Sequence, residues 1–76
     1  MTKLKRYIVY AFYRNLAIKK RITDYSNMED LLDYLQGLRF CETAYMAYDT
    51  KMQKIIDIGL YDNFTKEEMA KVIMED

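Results

Sequence analysis

The chain has 76 residues, of which 51% are hydrophobic and 32% charged, with two Gly and no Pro. That length closes one hydrophobic core and not two, and the composition is too apolar for disorder, so one folded domain over residues 1–76 is expected. The absence of His and the single Cys exclude an intramolecular disulfide, a zinc site of ordinary ligand spacing, a Ser-His-Asp triad and a Cys-His pair.

The longest apolar run, Tyr7 to Tyr13, ends at Arg14, far short of the ~20 residues a membrane span needs. No small-residue cleavage site follows it, so it does not read as a signal peptide, and a cytoplasmic protein without a membrane span is expected. The net charge of zero conceals a division: residues 1–23 carry seven basic side chains and no acid, whereas the other 53 carry five basic and twelve acidic ones. No linker, repeat or low-complexity tract separates the two, so this is polarity within one domain. A domain this small buries only about 60% of its unfolded surface. Of the aids that natural proteins of this size use, a disulfide, a metal or a partner subunit, only the last remains, and a homodimer is expected.

Residues 6–22 read as a β-hairpin, with a helix as the open alternative because Ile8, Tyr10, Phe12 and Tyr13 fit both periods imperfectly. Tyr7 to Tyr13 is dense in β-branched and aromatic residues, and Leu16 to Ile22 resumes that character after a two-residue turn at Arg14-Asn15. Such a turn pairs Tyr13 with Leu16, Ala11 with Ile18, Val9 with Lys20 and Tyr7 with Ile22. A helix follows, introduced by Ser26-Asn27-Met28-Glu29 as an S-x-x-E capping box and expected over about 27–36. Met28, Leu31, Leu32, Leu35 and Leu38 mark its core face, and Gly37 its C-terminal cap. Cys41 to Tyr48 and Met52 to Leu60 read as two strands joined at Asp49-Thr50-Lys51, with Cys41 as a small core residue; on the second strand, Ile56 and Ile58 share one face, Ile55 and Asp57 the other. Thr65-Lys66-Glu67-Glu68 is a second capping box, with Phe64 and Met69 placed as a hydrophobic staple. The expected fold is α+β, in the order β-β-α-β-β-α, an antiparallel sheet with its two helices mainly on one face.

Two constellations could carry chemistry. The hairpin register places Ile8, Tyr10 and Phe12 beside Ala17, Lys19 and Arg21, with Arg14 at the tip, and Tyr10, Phe12, Arg14, Lys19 and Arg21 are the candidate binding residues. Rings flanked by cations on an open sheet suit single-stranded DNA or RNA, whereas Tyr, Met and Arg also concentrate where protein partners bind, and eight Tyr and six Met are present. Overall neutrality favours the protein partner. Asp57, Asp62, Glu67 and Glu68 include first-turn helix carboxylates that favour the helix dipole, with no phosphate-binding Gly loop nearby, so neither a metal nor a cofactor is expected. Nothing assembles an acid, a base and an electrophile stabiliser, so an enzyme is not expected.

Lys, Tyr, Ile, Met, Phe and Asn total 35 residues, against 11 for Ala, Arg, Gly and Pro, the balance of an AT-rich coding sequence. In this the chain resembles the small proteins of phages and mobile elements in low-GC bacteria. The resemblance implies a regulator or inhibitor that binds a larger host protein in the host cytoplasm. The reading from sequence is therefore a non-catalytic protein-binding module, with nucleic-acid binding through the hairpin as its alternative.

Overall fold

The structure, a computed structural model, describes residues 5–13 and 19–74. Its elements are β1 (Tyr7–Tyr13), β2 (Lys19–Tyr25), α1 (Met28–Phe40), β3 (Ala44–Asp49), β4 (Lys54–Gly59) and α2 (Lys66–Met74). The four strands form one antiparallel sheet in the order β2-β1-β3-β4. The α+β class and the β-β-α-β-β-α order are those the sequence indicates.

Strand β1 is apolar on both faces because it lies inside the sheet with a helix-bearing layer on either side. Tyr7, Val9 and Ala11 face α1, where they form a buried cluster with Leu31, Leu35, Leu38, Tyr45 and Ala47. The small Ala11 and Ala47 leave room for the three leucines. Phe12 points to the opposite face and joins Ala44, Met46, Phe64 and Met69 of the layer built by α2. The helices thus cover opposite faces, and the expectation of one helical face is corrected. Two apolar faces on a central strand require two covers.

The hairpin register also differs from expectation. Tyr7 pairs with Tyr25, Val9 with Thr23, Ala11 with Arg21 and Tyr13 with Lys19, so each β1 residue meets a partner three positions beyond the expected one. The expected turn at Arg14-Asn15 lies outside the described residues. An odd shift exchanges the faces of the second strand, because side chains alternate with a period of two.

Helix α1 starts one residue later and ends later than expected. Its N-cap is Asn27, not Ser26: the Asn27 side chain accepts the amide of Asp30 at 2.9 Å and donates to the Asp30 carboxylate at 3.0 Å. Gly37 does not end the helix. It has no positive φ, and the Cys41 amide still reaches its carbonyl at 3.1 Å, so the helix runs on to Phe40. Met28 and Leu32, expected in the core, are exposed, and the buried face narrows to Leu31, Leu35 and Leu38. Cys41 is exposed beyond the helix end and is not the strand's first core residue.

Strands β3 and β4 are joined through residues 50–53, with Asp49 as the organiser of the turn. Its Oδ1 accepts the amides of Lys51 at 2.9 Å and Met52 at 3.2 Å, and both carboxylate oxygens receive Arg6. The Thr50 amide donates to the Arg6 carbonyl at 2.8 Å, which fastens this turn to the start of β1. Hydrogen bonding from Arg6, followed in effect by the turn amides, holds the Asp49 carboxyl below the usual carboxylate range against the opposing influence of its burial.

A bulge at Ile56 reassigns the faces of β4. Asp57 pairs with Ala47 but Ile55 with Tyr48, so Ile56 is the extra residue, and Ile55 and Ile58 come to the same face. Gly59 allows the Tyr45 ring to pass: an added Cβ would lie 2.3 Å from Tyr45 Cε1. The Tyr45 hydroxyl accepts from Arg39 Nε at 2.8 Å and donates to Asp57 at 2.9 Å, and Arg39 closes the triangle with an ion pair to Asp57. Burial, then the hydrogen bond to Asp57, raises the Tyr45 phenol above its ordinary value. At α2 the expected cap is present: Thr65 Oγ1 accepts the Glu68 amide at 3.1 Å, and Phe64 and Met69 are buried in one cluster.

Candidate functional site

The α2 face is only partly closed. Helix α2 buries Met69 fully and Val72 and Ile73 in part, over the Phe12 end of the sheet. Beside it lies an open, apolar groove of about 270 Å³, lined by Tyr10 of β1, Met46 and Tyr48 of β3, Ile55 of β4 and Ile73 of α2. Ile22, which pairs with Tyr10, is 48% exposed, and Met74 at the helix end is 83% exposed. Five secondary-structure elements therefore contribute apolar side chains to this stretch of surface.

Lys20 stands beside the Tyr10 ring of the groove. Lys20, opposite Phe12 in the ladder, donates from Nζ to the carbonyls of Val72 at 3.3 Å and Ile73 at 3.1 Å. These belong to the last turn of α2, whose carbonyls lack helical partners and carry the negative end of the helix dipole. The same ammonium lies 5.9 Å from the centroid of the Tyr10 ring. Lys20 thereby ties α2 to the hairpin and fixes one wall of the groove.

Of the candidate residues from sequence, Tyr10 lines the groove. Phe12 is buried against Phe64, with ring centroids 5.9 Å apart, and is no contact surface. Arg21 pairs with Ala11 and so belongs to the α1 face of the sheet, away from Tyr10. Arg14 and the side chain of Lys19 lie outside the described residues. The expected interleaving of Tyr10, Phe12 and Arg21 on one face is thus corrected, because the register shift exchanges the faces of β2. Met46, Tyr48, Ile55 and Ile73 were missed. Their signal is a weaker form of that of β1: β3 is apolar at consecutive positions from Ala44 to Tyr48, and β4 at Ile55 and Ile56.

A second opening, of about 350 Å³ at the end of the sheet, is lined by Phe12, Tyr13, Cys41, Glu42, Thr43, Ala44 and Asp62. It brings the exposed Cys41 thiol and the Glu42 and Asp62 carboxylates to one opening. Among the described residues no group of three or more Cys, Asp and Glu side chains is placed to hold a metal ion, and no helix is long and apolar enough to cross a membrane. The chain matches no protein-family profile, no curated protein and no solved structure.

Proposed function

We propose that the protein is a small non-catalytic binding module that acts as a regulator or inhibitor by occupying a surface of a larger protein. The contact surface is the groove of Tyr10, Met46, Tyr48, Ile55 and Ile73 with its exposed neighbours Ile22 and Met74. The observation that carries this reading is the uncovered apolar floor across β1, β3 and β4, next to a helix too short to close it. Apolar and aromatic floors of this kind accept apolar anchors from a protein partner, and Met and Tyr supply most of the area.

The alternative, a single-stranded nucleic acid bound through the hairpin, has less support among the described residues. Base stacking needs exposed rings with cations beside them, whereas Phe12 is buried, Lys20 is engaged by α2 and Arg21 faces away.

Affinity capture from a lysate with mass spectrometry, followed by titration of the captured component with the wild-type and Ile55→Glu proteins, tests the reading. A captured protein whose affinity falls at least tenfold on Ile55→Glu and changes little with salt is the expected result. A captured nucleic acid whose log K falls with log salt at a slope of about −2 to −3, as three or four phosphate contacts give, would reverse it. Sedimentation of the purified chain reports the third outcome, in which a second copy fills the groove and the protein is a homodimer through this face.

A further inference from the structure

Helix α1 turns a second, chemically different surface to solvent. Rows of residues four apart form ridges along a helix. On the outer side of α1 one such ridge is Met28, Leu32, Gln36 and Phe40, and the next is Glu29, Asp33 and Gly37. All seven residues are exposed. Leu32 is 51% exposed and Phe40 90%, the largest exposure among the large apolar side chains described. An apolar ridge and an acidic ridge therefore bound one groove, on the side of the helix opposite its buried leucines.

Gly37 is the second observation. It lies inside the helix with no positive φ, and an added Cβ would meet nothing within 4 Å. Neither the backbone nor the packing of this chain requires glycine there, and glycine inside a helix is less favourable than alanine. What a glycine on an outer helix face supplies is close approach for another backbone. Directly beside Phe40 and one turn from Asp33, it forms a notch in the acidic ridge.

We propose that this groove docks a basic amphipathic helix from a protein partner. A ridge of that helix lies between the two ridges of α1, crossing at about 50° as rows four apart interdigitate. Its apolar side chains rest on Leu32 and Phe40, its backbone approaches at Gly37, and its Lys or Arg residues meet Glu29 and Asp33. A second copy of α1 is a poorer occupant, because the helix's only basic residue, Arg39, is held by Tyr45 and Asp57.

The probe is a synthetic 18-residue helix of Leu and Lys, compared with the same peptide carrying Glu in place of Lys. The expected result is saturable binding of the Lys peptide, with amide shifts concentrated in α1, and at least tenfold weaker binding of the Glu peptide. Leu32→Glu and Phe40→Glu should each weaken the Lys peptide tenfold or more. Gly37→Leu, whose Cβ would meet nothing within 4 Å, should keep the fold by circular dichroism and lose a similar factor. Ile55→Glu on the opposite face should leave the peptide affinity unchanged, which separates this proposal from that for the α2 groove. Shifts centred on Tyr10 and Ile55, equal binding of both peptides, or unchanged binding by Gly37→Leu would each overturn it. So would a wild-type dimer that Phe40→Glu makes monomeric, since that would give the groove to a second copy.

Discussion

On one face of the sheet, α1 runs for 13 residues and buries Leu31, Leu35 and Leu38 against Val9, Ala11 and Ala47; on the other, α2 runs for 9 and buries only Met69 fully. At ~1.5 Å per residue, these helices are about 20 Å and about 13 Å long, against about 23 Å for a seven-residue strand. The longer helix can span its face, while the shorter one leaves the groove beside it. The same strands supply both faces, so the difference lies in the covers. A small domain can keep one face for stability and leave part of the other as contact surface.

The largest expected effect tests that division. Leu35→Ala removes a side chain at the centre of the α1 layer and should cost about 3 kcal/mol, read as a fall in the denaturation midpoint of the whole domain. Met69→Ala should act more locally: amide exchange should rise across α2 while the strands stay protected. Loss of protection throughout the sheet on Met69→Ala would mean that both layers unfold as one.

Glycine replacements sharpen the comparison next. Gly59→Ala places a Cβ 2.3 Å from Tyr45 Cε1 and 2.9 Å from Tyr61 Cε2, and should cost about 2 kcal/mol as the rings are displaced. Gly37→Ala meets nothing within 4 Å and should stabilise by up to about 1 kcal/mol. Thermal unfolding of the two variants should therefore shift in opposite directions. Equal shifts would contradict the packing described for Gly59.

The caps come third. Asn27→Ala and Thr65→Ala each remove the acceptor for a helix-terminal amide and should cost about 1 kcal/mol, whereas Ser26→Ala should change stability by less than ~0.5 kcal/mol. A larger effect of Ser26→Ala than of Asn27→Ala would move the start of α1 back to the position read from sequence.

The smallest effect is a slope. Asp49 is held below the ordinary carboxylate value by Arg6, so its contribution is complete above the unfolded pKa of about 3.9 and is lost as pH falls through the lower folded value. Asp49→Asn should therefore flatten the decline of stability below about pH 4. An acid-unfolding curve unchanged in slope would remove Asp49 from that role.

The Thr65 cap and the Phe64–Met69 staple were legible because they are local: a helix start needs specific side chains within four residues of itself. The Asn27 cap was not, since Ser26 and Asn27 are both good acceptors and only the entry geometry of the chain chooses between them. Of the candidate surface, Tyr10 was legible as an aromatic on an apolar strand. Its company was not. Pairing Tyr13 with Lys19 in place of Leu16 turns Arg21 to the other face, and the bulge at Ile56 brings Ile55 round to the side of Tyr10. Each is a one-residue parity choice that local sequence leaves open.

By itself, then, the sequence indicated the order of the elements and, outside the first apolar segment, their types, because hydrophobic period, caps and chain breaks act over a few residues. It also determined that β1 presents apolar side chains to both faces of the sheet, since both of its alternating sets are apolar. Only the tertiary structure decided which strands neighbour each other, which helix covers which face and which side chains stay uncovered. Those outcomes depend on register, on the bulge and on helix length against the sheet, where contacts distant in sequence compete for the same apolar surface.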